Sequence, residues 1–340
     1  MNGPRIAWLP DGRRLHMNHG PIDLIVEAFG AEGERRAAYA QAAARFRTIL
    51  DELVAELPGL REPIELRAYT PTPHPSPQGG GGFGDAALDL DGAAGAHLSG
   101  FHSPLWGGAR GGGIGASRFH SPIARRMEAA CAPLAGEFIT PMAAVAGAVA
   151  DEMLAALVAG RDLDRAYVNN GGDIAIHLAS GQSMRLAIAG TGHGFADRVK
   201  IDAASPVRGV ATSGWRGRSF SLGIADAVTV LARSGAAADA AATIIANAVD
   251  LPGHAAILRK PASEMAPDSD LGDRLVTVGV GTLSPVEIGR ALGAGLAVAQ
   301  DLRRRGLIEG AALFLAGEAR LCGRMEELPA APARKELLHA

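Results

Sequence analysis

Between residues 33 and 57 the segment GERRAAYAQAAARFRTILDELVAEL repeats apolar positions at intervals of three and four. Tyr39, Ala42, Phe46, Ile49, Leu50, Leu53 and Val54 fall on one face, which predicts a core-facing helix that ends before Pro58. Two further helices are expected at IARRMEAAC and FITPMAAVAGAVADEMLAALVAG, and others at 235–249 and 285–305. Period-two alternation marks RAYVNNGG with DIAIHLA, and SMRLAIAG, as extended runs with a hairpin around Gly181–Gln182. RGVATSG, DAVTVLA, RLVTVGV and AALFLAG read as further strands. Clustered strands and a few long helices predict an α+β fold, helices packed on a largely antiparallel sheet.

One helical run carries a pattern of its own. SGAAADAAATIIANAVD, residues 234–250, is built of the strongest helix former, with Ser234 as a plausible N-cap. At about 100° per residue, its polar members Asp239, Thr243 and Asn247 lie on one slowly drifting stripe of an otherwise apolar cylinder. Asp239 sits about a turn beyond the N-cap, so capping of its own helix does not account for it. Either the stripe is a solvated edge or it faces a functional site.

The pattern fails from Pro71 to Arg118, where PTPHPSPQGGGGFG opens a segment with fourteen glycines between Gly79 and Gly115. This reads as an insertion or flexible lid, 71–118, inside one domain over 1–335. It holds no complete G-x-G-x-x-G between strand and helix and no G-x-x-x-x-G-K-[ST]. With 340 residues, 48% hydrophobic, and a net charge of −3, the chain has ample core and no basic footprint for nucleic acid. Cys131 and Cys322 fit neither a paired metal spacing nor a disulfide framework, so buried thiols and a cytoplasmic location are expected. The longest apolar stretch, PMAAVAGAV, stops at Asp151 and Glu152, and the first residues lack an apolar core, so neither a membrane span nor a secretory signal is expected. His177 reads as a half-buried strand residue, and His16 and His19 make no metal spacing. An oligomer is possible through alanine-rich faces such as 285–305.

Four segments combine small residues with isolated polar groups: TPMAAVAGAVAD (140–151), VNNGGDI (168–174), VATSGWRGRSFSLGIAD (210–226) and the ADAAAT helix. In this order they resemble the ApbE-like flavin transferases, which cleave FAD and attach FMN to a threonine or serine of a target protein. The likeness runs from about Phe138 to Val249. It is closer still to an uncharacterised UPF branch of that superfamily, which carries FITPMAAVAGAVAD, an SxSLGIAD-type segment and HGPIDL (19–24). The resemblance implies an ApbE-like, T-fold related domain. It also implies a magnesium ion held by Asp239, Thr243 and the carbonyl near Ala143, an oxygen set that suits this cation.

In the same resemblance the Gly171–Gly172 turn before Asp173 offers N–H groups to a nucleotide, and Thr212, Ser213 and Gly214 hold a pyrophosphate; without it the glycine pair reads as a plain hairpin or bulge, and Ser213–Gly214 as an ordinary turn. Arg218, with Arg216, can clamp phosphate, and Asp226 is a second-rank catalytic candidate beside Asp239 and Thr243. The implied ligand is FAD or another nucleotide, with a possible acceptor protein as partner. The alternatives are a non-catalytic flavin binder, or an enzyme of this fold acting on an unrelated small molecule. Two departures bear on the choice: Ala146 stands where the transferases carry lysine, and SFSLGIAD replaces a segment containing H-I-D-P. They predict weak FAD binding or slow FMN transfer.

Overall fold

The computed structural model describes residues 3–65, 117–187 and 198–327. Its first strands are β1 (Arg5–Trp8), β2 (Leu15–His19) and β3 (Ile22–Phe29), followed by helix α1 (Glu32–Leu60). Helix α2 (Pro122–Cys131) precedes two short 3-10 turns, the second at Pro141–Ala144, and helix α3 (Val145–Val158). Strands β4 (Arg165–Asn170), β5 (Asp173–Leu178), β6 (Ser183–Ala187), β7 (Arg198–Asp202), β8 (Gly209–Ser213) and β9 (Ala227–Ala232) lead to α4 (Gly235–Ala248). Next come β10 (Ile257–Pro261), the short α5 (Ala262–Met265), β11 (Leu275–Val280), α6 (Pro285–Arg304), β12 (Gly310–Leu315), β13 (Glu318–Gly323) and a 3-10 turn at Arg324–Glu327. The expected insertion, 71–118, lies outside the described residues except for its last two.

Nine strands form one antiparallel sheet in the order β1-β2-β3-β4-β5-β8-β9-β12-β13, and the pairs β6-β7 and β10-β11 stand apart from it. Alternation assigns each strand's side chains to two cores. On one face Leu24, Val26, Ala166, Val168, Ala211, Val230 and Leu313 meet the helices α1, α2, α3, α4 and α6. On the other, Ile176, Leu178, Val210, Leu231 and Phe314 are covered by Val199 and Ile201 of the β6-β7 pair. Because both its faces are covered, all six residues of β9 are buried, and AVTVLA is apolar except for Thr229, whose hydroxyl is paired.

The structure corrects three expectations. The hairpin turns at Gly171–Gly172, not Gly181–Gln182: φ is 65° and 118° there, and Asn170 pairs with Asp173 across the two-residue turn. Strand β6 leaves the sheet for β7 because Ile176 and Leu178 need a cover, and β8 takes the place beside β5. Helix α1 continues past Pro58 to Leu60, which is fully buried, and Val54 is exposed instead of buried. Phe138–Thr140 is not helical, since the proline at 141 disfavours helical backbone before it and α3 starts only at Val145.

Cys131 and Cys322 are both buried, and neither forms a disulfide among the described residues. The stretch Pro141–Val158 is long and apolar enough to cross a bilayer, but more than half of it, 56%, is buried inside the fold against α1, α2, α4 and the sheet.

Candidate functional site

Helix α4 is sunk in protein. It packs on β8 and β9, with α3 and α6 alongside, and from Ala238 to Ala246 every residue is buried except Asp239 and Thr243. Asn247 continues the opening one turn on. Through the middle of α4 the polar stripe is therefore a narrow, partly exposed line and not a broad solvated edge; towards the helix ends Ala237 and Ala248 are partly exposed as well. Ala143 and Met142, in the 3-10 turn packed beside α4, are likewise partly exposed.

The closeness of α3 to α4 depends on glycine. A Cβ on Gly147 would lie 2.2 Å from the Gly235 carbonyl oxygen, so the two backbones touch. This contact lets the helices exchange caps. Asp151 of α3 accepts the Gly235 and Ala236 N–H groups at 2.8 and 2.9 Å, and Ser234 accepts from Ala237 at 3.2 Å. In return Asp239 of α4 accepts the Gly147 N–H at 3.0 Å, with the Ala146 N–H also directed at it. Each carboxylate thus sits on the positive end of the neighbouring helix. Asp239 is a cap after all, of α3 instead of α4.

Burial pushes the Asp151 carboxyl up to about 6 against the opposing pull of its two N–H donors. Asp239 is driven far above the usual carboxylate range, first by burial and then by the negative charge of Asp173. Asp173, at the start of β5, is itself pushed up to about 7 by burial, offset by the Thr212 N–H at 3.2 Å and by the positive charge of Arg218. Two carboxyl groups from different elements stand in each other's field beside the opening.

Around them the predicted residues divide. Gly171 admits the Arg218 guanidinium: a Cβ there would fall 1.9 Å from Arg218 Nη2. The glycine turn therefore seats an exposed arginine next to Asp173. The Thr212 hydroxyl pairs with that of Thr229 at 2.9 Å, on the face of the sheet away from α4, and its N–H is spent on Asp173. Ser213 is half-buried at the strand end, and Gly214, φ 155°, packs against the Asp226 carbonyl. The Thr243 hydroxyl makes no hydrogen bond to a described residue.

Asp226 serves a different place. Its carboxylate accepts Arg216 Nε at 2.5 Å, the Trp215 indole N–H at 3.3 Å and the Ala316 N–H at 2.7 Å, fixing the β12-β13 turn. Asn247 Oδ1 accepts the Leu222 N–H at 3.0 Å and the Ser221 hydroxyl at 3.4 Å. His177 is half-buried, with Nε2 3.3 Å from the Leu163 carbonyl, and burial lowers its pKa. His16 meets Asp23 at 2.5 Å.

Sequence reasoning passed over the two asparagines of VNNGGD. Asn169 Oδ1 accepts the Gly172 N–H at 2.8 Å and sets the turn. Asn170 is almost fully buried and donates Nδ2 to the Ala146 carbonyl at 3.1 Å, tying the hairpin that carries Asp173 to the turn that holds Asp239. The available signal was a polar residue in the helix-facing row after Ala166 and Val168.

A family model described as AbpE bacteria matches residues 6–79 and 103–321. The chain belongs to that family. Every AbpE site residue named above lies within the matched stretches. This AbpE chain is 42% identical over 131 residues to a UPF0280 protein of Methanothrix thermoacetophila, covering 38% of the chain and 52% of that relative. UPF0280 proteins of Methanopyrus kandleri and Methanocaldococcus jannaschii are 35% and 42% identical over 125 and 122 residues. Those alignments cover 37% and 34% of the chain. The matched part spans about half of each relative, 48% in both cases.

Proposed function

We propose that the opening along α4 binds a nucleotide diphosphate of the FAD type through a divalent cation, as a protein of the flavin transferase kind. The observation that carries this reading is the solvent line Asp239–Thr243 on an otherwise sunken helix, with Asp173 and Asp239 in mutual repulsion beside it. Among the described residues no three His, Cys, Asp or Glu side chains converge, so a cation would rest on carboxylate, hydroxyl and carbonyl oxygens. That donor set fits magnesium, and its charge would relieve the crowding of the two carboxylates. Asp239, Thr243 and the carbonyl near Ala143 are the proposed ligands. When bound, magnesium would neutralise a pyrophosphate and favour displacement at phosphorus.

The remaining roles belong to the chain. Arg218, seated on the Gly171–Gly172 turn, presents a guanidinium to phosphate, with Ser213 and Gly214 as further donors. Asp173, poised near neutrality, is suited to take the proton of an attacking threonine or serine hydroxyl while AMP leaves FAD. Membership of the AbpE family and the UPF0280 relatives supports the sequence resemblance on which the flavin assignment rests. A second reading, a binder without transferase activity, is favoured by Ala146, whose methyl group stands where a lysine would neutralise phosphate.

The test is incubation of the purified chain with FAD and magnesium, following bound flavin colour and released AMP. AMP release supports transfer or cleavage, and colour without AMP supports the binder. Neither colour, AMP nor a magnesium-dependent thermal shift with any nucleotide would overturn both readings.

A further inference from the structure

The far end of the polar stripe has a chemistry of its own. Asn247 is two turns beyond Asp239, about 12 Å along the helix axis. Its orientation is fixed by a backbone group: Oδ1 must face the Leu222 N–H at 3.0 Å, because an amide nitrogen there would set donor against donor. Leu222 is itself held, since its carbonyl accepts from Arg259, which is paired with Asp250. The buried Ser221 adds its hydroxyl to Oδ1. Both acceptor sites of the amide oxygen are therefore used, while Nδ2 donates to no described residue and the side chain stays partly open to solvent. Asn247 presents donors only.

We infer that Asn247 is a specificity residue that reads a carbonyl on the heterocycle of the bound nucleotide, as found on uracil or isoalloxazine rings. The inference rests on the proposed nucleotide site, whose phosphate end is marked by Asp239 and Arg218. An extended mononucleotide separates its phosphate from its ring carbonyls by a distance of the same order as the stripe. A ring carbonyl accepts from Nδ2. Adenine has no carbonyl: where uracil carries O4 it carries an amino group, which meets donor with donor, and only its ring nitrogens are left as acceptors.

The test is calorimetric titration of the whole chain with magnesium and UMP, FMN or AMP, and separately with magnesium and inorganic pyrophosphate. Wild type is expected to bind UMP and FMN about tenfold or more tighter than AMP. In Asn247→Asp the side chain still accepts from Leu222 and Ser221 but loses both donors, so the UMP-to-AMP preference should vanish or reverse. The ratio is the readout, because the added charge weakens every phosphate ligand alike. Wild type that binds magnesium pyrophosphate yet shows no preference among the three nucleotides would overturn the role of Asn247 alone, whatever the variant does. A preference retained in a folded Asn247→Asp protein would overturn it too. Wild type that binds neither pyrophosphate nor any nucleotide removes the underlying site as well.

Discussion

Replacing Gly147 by alanine tests the contact on which the candidate site is built. By helix propensity alone the change should stabilise α3 by about 1 kcal/mol. The structure reverses that sign. The new Cβ would stand 2.2 Å from the Gly235 oxygen, 2.4 Å from its carbonyl carbon and 2.7 Å from the Ala236 nitrogen, all backbone atoms. Reaching ordinary contact requires α3 and α4 to part by about 1 Å or more.

Overpacking of this kind costs about 1–3 kcal/mol or more, and stretching the Asp151 bonds to Gly235 and Ala236 adds about 1 kcal/mol each. After the propensity gain, a net loss of about 2–4 kcal/mol remains, which corresponds to a fall in Tm of about 4–10 °C. Gly293→Ala is the matched control: the residue is exposed in mid-α6 with nothing within 4 Å of its Cβ position, so it should gain about 0.5–1 kcal/mol. Urea and thermal unfolding of both variants measure the difference. A Gly147→Ala protein as stable as wild type would refute the close crossing and the exchange of caps with it.

Further expectations concern the stripe and the carboxylates. Asp239→Ala should lower stability by only about 1 kcal/mol, since the lost cap on α3 is offset by relief of its repulsion with Asp173, yet abolish magnesium-dependent nucleotide binding; equal binding heats in variant and wild type would defeat the metal-site reading. Thr243→Val keeps the shape and deletes a hydroxyl that pairs with no described residue, so unfolding curves should overlay while the magnesium affinity drops; unchanged affinity removes Thr243 from the ligand set. Asp173 and Asp151 hold protons in the folded chain to about 7 and about 6, above the ordinary carboxylate range. The folded state thus binds more protons than the unfolded one across that window, and stability falls as pH rises through it. Tm in chelator should be higher at about pH 5.5 than at about pH 8, with magnesium restoring much of the loss at the higher pH; a flat profile would contradict the shifts. Arg218→Ala should weaken pyrophosphate binding by about tenfold and leave Tm unchanged, as fits an exposed guanidinium; an undiminished heat would place phosphate elsewhere.

The local pattern determined much of this protein. Local pattern located α1, α2, α4 and α6, the alternating β4 and β5, the apolar runs of β8, β9 and β12, and the α+β class, because each depends on which neighbouring side chains must be buried. The same reading put Asp239, Thr243 and Asn247 on one line, which follows from helix geometry alone. Sequence also exposed the glycine pair before Asp173, since a two-residue turn with positive φ has few other solutions. Short strands such as β1, β7 and β13 went unmarked, their apolar content too slight to show a period.

Partnership was decided only in three dimensions. That Asp239 caps α3 while Asp151 caps α4, that Arg218 rests on Gly171, and that Asn170 joins the hairpin to Ala146 all involve residues tens of positions apart. No periodicity encodes such pairs, because hydrogen bonding and charge act on distance in space. The tertiary structure likewise gave Asp226, the second-rank catalytic candidate of the sequence, partners of its own in Arg216 and the β12-β13 turn. The raised protonation ranges of Asp173 and Asp239 arise the same way. A carboxylate's affinity for its proton is set by the dielectric and charges around it, and the fold alone brings those charges within range.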